Sequence, residues 1–354
     1  MMLIDPAKPI LVTGASGYLG SWIVERLLKL GHVVHATVRD PSKTKSVAHL
    51  ETIAQQSSGT LRLFKADLLD QGAFDAAMQD CELVMHTASP FIVTNYDDAE
   101  SALVRPALDG TRNVLGSVER TASVRRVVLT SSIAAIYGDA KESQQVPNGV
   151  FDETRWNTSS TVSHQPYQYS KTVAEREAWH WVRQQQRWDL VCINPALIMG
   201  PALTTQSQSA SISTLQEFGN GTLRMGAPKM WNGLVDVRDV ADAHVKAGFN
   251  PAASGRYIIC DRTLSLLDMG SVLRQHFGTQ YPFPSMPVPT VAFWLVAPFY
   301  GYTRAFVSGN MGYPLSFNHD RSVHDLGLQY RDVRQSICEH FQQLIDDGLV
   351  KKRV

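Results

Sequence analysis

The chain is expected to fold as an α/β protein, a doubly wound parallel sheet with helices on both faces, followed by a smaller C-terminal domain. Three observations predict it. Short apolar runs alternate with segments of helical periodicity through the first half, and a glycine-punctuated turn joins the first run to the first helix. The 354 residues, 44% of them apolar, are also enough to bury a large core.

Ile10, Leu11 and Val12 form the apolar run of an inner parallel strand, and Trp22, Ile23, Leu27, Leu28 and Leu30 recur beyond it at helical spacing. Between them stands Gly14-Ala-Ser-Gly17-Tyr-Leu-Gly20. Gly14 permits a tight turn, Gly17 lets backbone N–H groups approach a pyrophosphate, and Gly20 lets the helix pack closely on the strand. The helix N-terminus then faces the anion with unpaired donors and its positive dipole end. Ser16, Tyr18 and Leu19 therefore join the glycines as expected dinucleotide contacts. A packing turn with incidental glycines is the alternative, but both flanks of the motif fit a Rossmann-type unit.

The second strand, Val33 to Val38, ends at Arg39 and Asp40, where such folds read the ribose. An acidic side chain bonds a 2′-hydroxyl, an arginine accommodates a 2′-phosphate, and successive strand residues point to opposite faces. Arg39 is favoured because Lys43 and Lys45 follow it, and clustered cations suit a phosphate; the expected cofactor is NADP(H) rather than NAD. The competing reading makes these lysines the solvated start of a helix from about Lys43 to Gln55.

A third strand, Leu61 to Lys65, leads to Asp67, which can accept a bond from the adenine amino group or serve as the N-cap of a following helix. The fourth, Leu83 to His86, opens into Thr87-Ala88-Ser89-Pro90, small residues that let a nicotinamide ribose lie against the backbone. After a helix from about Glu100 to Arg120, the strand Arg126 to Thr130 ends in Thr130-Ser131-Ser132. Open parallel sheets bind ligands at such C-terminal ends, so a serine there can hold a substrate oxygen; a plain ST-turn is the other reading.

The polar stretch Gly138 to Gln165 reads as an irregular connection long enough to be functional. A helix then runs from Tyr167 to about Gln186. Tyr167 and Lys171 are four residues apart, on one helical face, so the ammonium can act on the phenol and favour its ionised form. That is the equipment for general acid–base work on a carbonyl. Tyr169 is off that face, and Tyr137 has no lysine at helical spacing.

Thirty-three basic and thirty-three acidic residues cancel, which argues against nucleic acid or an acidic membrane surface as partner. Cys81, Cys192, Cys260 and Cys338 have no metal-ligand spacing, and no secretory signal is present, so a cytoplasmic protein without metal is expected. The tract Val288 to Tyr300 is proline-broken and too short for a membrane span; it reads as core of the second domain or as a lid over a substrate pocket. Met199, Met225, Trp231 and Phe293 are candidate pocket residues, with core the competing role. Residues 326–328 and 333–344 suggest a closing strand, turn and helix, and the tail Lys351-Lys-Arg353 a solvated end. The expected division is a cofactor domain over residues 1–198 with 234–260 returning to it, and a smaller substrate-binding domain over 199–233 and 261–354.

The glycine turn, Ser132 and Tyr167-x-x-x-Lys171 resemble the extended short-chain dehydrogenase/reductase family along nearly the whole chain. Within it, residues 37–41, 130–132, 194–201 and 234–244 are similar to the dihydroflavonol reductase, cinnamoyl-CoA reductase and yeast-type carbonyl (aldehyde) reductase branch. The resemblance implies Ser132, Tyr167 and Lys171 as catalytic, with tyrosine the acid, lysine also bonding the nicotinamide ribose, and serine orienting the carbonyl; Ser131 competes for the last role. It further implies that Arg39 and Lys45, or Lys43 in its place, bind the 2′-phosphate. Asp67 and Leu68 would border adenine, and Pro195, Ala196, Leu197 and Ile198 would line the nicotinamide. Plant flavonoid enzymes carry an amide or acid where this chain has Tyr137, and sugar-nucleotide dehydratases carry an acidic pair at Ile133 and Ala134. The implied activity is NADPH-dependent reduction of an aldehyde or ketone by a monomer or homodimer. An NAD-dependent sugar-nucleotide epimerase and a non-catalytic NADP-sensing regulator are the rivals; Arg39 opposes the first and the intact Tyr-Lys pair the second.

Overall fold

The computed structural model describes residues 3–89, 98–207 and 209–351. Pro90 and the tail residues Lys352 and Arg353 lie outside the described residues.

Strands and helices alternate as β1 (Ile10–Thr13), α1 (Tyr18–Lys29), β2 (Val33–Val38), α2 (Thr44–Gln55), β3 (Thr60–Lys65), α3 (Asp75–Met78), β4 (Leu83–His86), α4 (Arg105–Arg120) and β5 (Arg126–Thr130). A π-helical turn, Glu100–Val104, leads into α4. There follow β6 (Val150–Phe151), α5 (Pro166–Val182), β7 (Asp189–Pro195), β8 (Leu197–Met199), α6 (Ala210–Asn220), β9 (Ala227–Pro228), β10 (Trp231–Asp236), α7 (Val237–Phe249) and β11 (Gly255–Ile259). The chain closes with β12 (Arg262–Ser265), α8 (Leu266–Phe277), β13 (Pro287–Val288), α9 (Thr290–Val296), α10 (Arg304–Asn310), β14 (Ser316–Phe317), α11 (Asp320–His324) and α12 (Val333–Asp346).

Seven strands form the large sheet in the order β11-β7-β5-β4-β1-β2-β3. All its pairings are parallel, as the doubly wound expectation requires. The order reverses between β1 and β4, which opens a crevice at the strands' C-terminal ends. Alternation along β1 sends Ile10 and Val12 to one apolar core and Leu11 to the other, and β7 splits Val191 and Ile193 from Leu190 and Cys192 in the same way.

A smaller sheet, β12-β10-β8, has a core of its own in which Met199, Leu215, Phe218, Leu273, Ile337 and Phe341 pack together. β10 therefore pairs in the small sheet, while α7 packs on α1 and β11 joins the large sheet. α5 ends at Val182, short of the expected Gln186, because the Gln185 side chain turns the backbone by bonding Arg187 N at 2.7 Å and Trp188 N at 3.0 Å.

The 288–300 tract is core only in part. Only Phe293 and Ala297 are buried, in a small cluster with Val307 and Met311, whereas Val291, Leu295 and Phe299 are exposed, Phe299 at 89%. A seven-residue helix against the equally short α10 offers one stripe to bury and leaves the rest outside. Met199 belongs to the second core, Met225 is exposed, and Trp231 is half-buried against the large core.

Candidate active site

Gly14 takes φ +65°, and a Cβ there would lie 2.9 Å from Ala88 Cα; a Cβ on Gly20 would lie 2.3 Å from the Gly14 carbonyl oxygen. The turn thus needs glycine at both places, one for handedness and approach, the other for helix contact. α1 begins without a side-chain cap and without an acidic residue in its first turn. Its leading N–H groups are left for an anion, which is the fit a pyrophosphate requires. Tyr18 and Leu19 are buried, and the Tyr18 hydroxyl donates to the Gly200 carbonyl at 2.6 Å, which leaves that residue only its backbone for a ligand. Ser16 is half-buried on the turn.

Thr13 ties the end of β1 to the start of the loop after β4. Its hydroxyl accepts from Thr87 N and Ala88 N, both at 3.1 Å, so its own proton goes to His86 Nδ1 at 3.0 Å. Burial holds His86 neutral, down at about 3, which matches that acceptor role. The small residues Thr87 and Ala88 are thereby fixed against the glycine turn.

At the end of β2, Asp40 is taken: its carboxylate accepts from Ser42 N at 3.0 Å and Ser42 Oγ at 2.6 Å, which holds it below the usual carboxylate range. Arg39 is exposed and has no carboxylate partner among the described residues. Lys43 and Lys45 are both exposed, and Lys43 acts on Asp40 through its charge. Asp67 Oδ1 accepts from Leu69 N at 3.0 Å, closing a turn rather than capping a helix. Leu68 packs toward α4, where its carbonyl accepts from Asn113 Nδ2 at 3.0 Å.

The two serines after β5 part company. Ser131 is buried and donates to the Glu175 carboxylate at 2.5 Å, whereas Ser132 is half-buried, accepts from Ala134 N at 3.1 Å and acts on the Tyr167 phenol, favouring its ionised form. Thr130 donates its hydroxyl to His244 Nε2 at 2.7 Å; His244 Nδ1 donates to the Val240 carbonyl, and burial keeps the ring neutral, down at about 4.

Tyr167 enters α5 behind Pro166 and behind Gln165, a non-glycine residue at φ +55° held by its own amide on the Gly138 carbonyl at 2.7 Å. The Lys171 ammonium lies 5.8 Å from the Tyr167 ring centre and donates to Ser89 Oγ at 2.9 Å. Burial pulls Lys171 down to about 8. Tyr167 is also shifted by burial, upward, and the Ser132 hydroxyl pulls it partly back. Desolvation sets the direction of the Tyr167 shift, Ser132 is the group that favours the phenolate, and the lowering expected from Lys171 is not seen. Tyr137 packs between Phe151 and Phe317, tilted against both rings, and is pushed high by burial.

Pro195 and Ala196 are buried at the end of β7, and Leu197 and Ile198 are half-buried in β8 as the chain passes to the small sheet. Sequence reasoning missed Glu175, Asn194 and Arg256, which lie beneath the serines. Glu175 at four residues past Lys171 was the available signal, a carboxylate on the inward face of a helix.

A model of the NAD dependent epimerase/dehydratase family matches residues 10–260. Cinnamoyl-CoA reductase CAD2 of Medicago truncatula is 38% identical over 338 residues, covering 95% of each chain. Tetraketide alpha-pyrone reductase 1 of Arabidopsis thaliana is 33% identical over 353 residues, 98% of each. Yeast methylglyoxal/isovaleraldehyde reductase Gre2, solved with NADPH, superposes with TM-score 0.75 at 26% identity over 97% of this chain and 100% of that one. The chain belongs to the NAD dependent epimerase/dehydratase family of extended short-chain dehydrogenases/reductases, and it is an oxidoreductase of the cinnamoyl-CoA reductase-like, carbonyl-reducing branch.

Proposed function

We propose that the protein reduces an aldehyde or ketone to an alcohol, reversibly, with NADPH as hydride donor and Tyr167 as proton donor to the carbonyl oxygen. The observation that carries this reading is that Tyr167 and Lys171 share one face of α5, the ammonium 5.8 Å from the phenol ring, where that helix packs on the turn that carries Ser132. Bound NADPH supplies the hydride. Ser132 fixes the carbonyl oxygen and shares its developing charge, and Tyr167, held protonated by burial, delivers the proton. Lys171 donates to the nicotinamide ribose from its place beside Ser89.

The uncapped start of α1 receives the pyrophosphate, while Arg39 and Lys45 take the 2′-phosphate that Asp40 would repel. Asp67 and Leu68 border adenine; Thr87, Ala88, the Thr130 backbone and residues 195–198 enclose the nicotinamide end. The proposed division into a cofactor domain of residues 1–198 with 234–260, and a substrate domain of the remainder, has α7 and β11 completing the former. Four buried free thiols suit a reducing, cytoplasmic setting, and among the described residues no helix is long and apolar enough to cross a membrane. The protein is proposed to act as a monomer or homodimer.

NADPH consumption against a varied carbonyl panel, with NADH alongside, tests the reaction and coenzyme together. Tyr167→Phe is expected to abolish turnover and leave NADPH binding intact. Full activity in that variant refutes the assignment, and epimerisation without added cofactor would favour the sugar-nucleotide alternative.

A further inference from the structure

We infer that the buried Glu175–Arg256 pair is the positioning device of the active site, locking the serine turn and α5 in the register that brings Ser132 and Tyr167 onto one carbonyl oxygen. This rests on the proposed function above. Glu175 is 1% exposed and stands one turn beyond Lys171 on α5. Its Oε2 accepts from Ser131 Oγ at 2.5 Å, Asn194 Nδ2 at 2.8 Å and Arg256 Nη2 at 3.4 Å; its Oε1 accepts from Arg256 Nε at 2.6 Å and Trp179 Nε1 at 3.2 Å.

The same partners reach the serine turn. Asn194 Nδ2 also donates to the Ser132 carbonyl at 3.1 Å, and Arg256 Nη2 donates to the Ala135 carbonyl at 3.2 Å, at the far end of the short helix that Ser132 caps. Arg256 Nη1 donates to the Glu153 carbonyl at 3.0 Å and to that of Arg155, and the Trp156 ring covers the guanidinium at 4.0 Å. One carboxylate therefore links α5 to the serine turn, β7 and β11.

Packing alone does not call for this arrangement, since a buried ion pair is often no more stabilising than apolar side chains of the same size. Its directional bonds instead converge on the two segments that carry Ser132, Tyr167 and Lys171. Misplacement of reacting groups by about 1 Å costs about 100-fold in rate, so a device acting only on orientation is worth that much. Glu175 and Arg256 touch neither substrate nor cofactor in this scheme; they are positioning residues.

Glu175→Gln keeps the side chain's size but replaces one acceptor oxygen by a donor facing Arg256. The expected result is a fall in kcat of about 10- to 100-fold with the Kd for NADPH unchanged. In the alcohol-oxidising direction, which uses the phenolate, the rising limb of kcat moves to higher pH as Ser132, which favours that phenolate, shifts away from Tyr167. Ser131→Ala, which leaves the ion pair whole, is expected to shift both readouts the same way by a smaller amount, and it decides the matter if Glu175→Gln does not fold. Folded variants with kcat and pH limb unchanged overturn the inference. So does a lowered Tm with normal kcat per NADPH-binding site, which marks a structural role only. Tyr167→Phe measured in parallel separates the cases: an active Tyr167→Phe removes the proposed function, whereas an inactive one beside a neutral Glu175→Gln removes only this inference.

Discussion

Arg39 offers the sharpest test of coenzyme choice, because Arg39→Ala removes a guanidinium that serves nothing else among the described residues. No ion pair has to break before this side chain binds a ligand, so its whole interaction is available to the 2′-phosphate. A hydrogen bond to a charged group contributes about 1.5–3 kcal/mol. Coulomb attraction gives a similar size: at about 4 Å in water each unit pair is worth about 1 kcal/mol, and a doubly charged phosphate doubles it. At about 1.4 kcal/mol per tenfold, KM for NADPH is expected to rise about 10- to 100-fold. KM for NADH, which has no 2′-phosphate, stays where it was. Exposure of Arg39 predicts an unchanged Tm, since surface substitutions of this kind are worth about 0.5 kcal/mol at most. Initial-rate kinetics with both coenzymes decide it: an equal effect on NADPH and NADH, or none on either, refutes the assignment of Arg39.

Two further predictions concern protons. Lys171 sits at about 8 in the protein, and its ammonium is the form that donates, so kcat/KM for carbonyl reduction should fall as pH rises through that value; a profile flat across the region contradicts the role given to Lys171. Burial lowers His86, His244 and His340 from 6.5 to about 3, 4 and 4, so the unfolded chain binds protons that the folded one refuses. Stability is full above the unfolded value and declines as pH falls from 6.5 toward 4, with up to three protons taken up on unfolding. Urea unfolding at several pH values measures that slope, and midpoints unchanged between neutrality and pH ~5 would contradict it.

The glycine turn was legible because its causes are local. A positive φ at Gly14 and the contact between Gly20 and the Gly14 carbonyl follow from how a strand must turn into a helix, and residue type reports both directly. Tyr167 and Lys171 were legible for the same reason, since a spacing of four means one face of any helix. From the residues alone Ser131 and Ser132 were legible only as a pair, and it was the family resemblance that pointed to Ser132. Alternation at a strand end makes neighbours diverge, but which one faces the crevice depends on where Glu175 stands to receive the other. The exposed apolar residues of α9 misled composition, because burial depends on how much neighbouring surface the fold supplies.

Sequence by itself determined the parallel α/β frame, the glycine turn that opens α1, the cation at the end of β2 and the phenol–ammonium pair on α5, all set within a few residues of chain. Tertiary structure decided the rest: that Asp40 is spent on Ser42, that Ser131 rather than Ser132 is spent on Glu175, and that burial dominates the phenol. It also assembled the Glu175–Arg256 pair across 81 residues of chain. The physical reason is range. Backbone geometry is written in neighbouring residues, whereas desolvation and buried hydrogen bonds exist only after distant segments have closed around a group and removed its water.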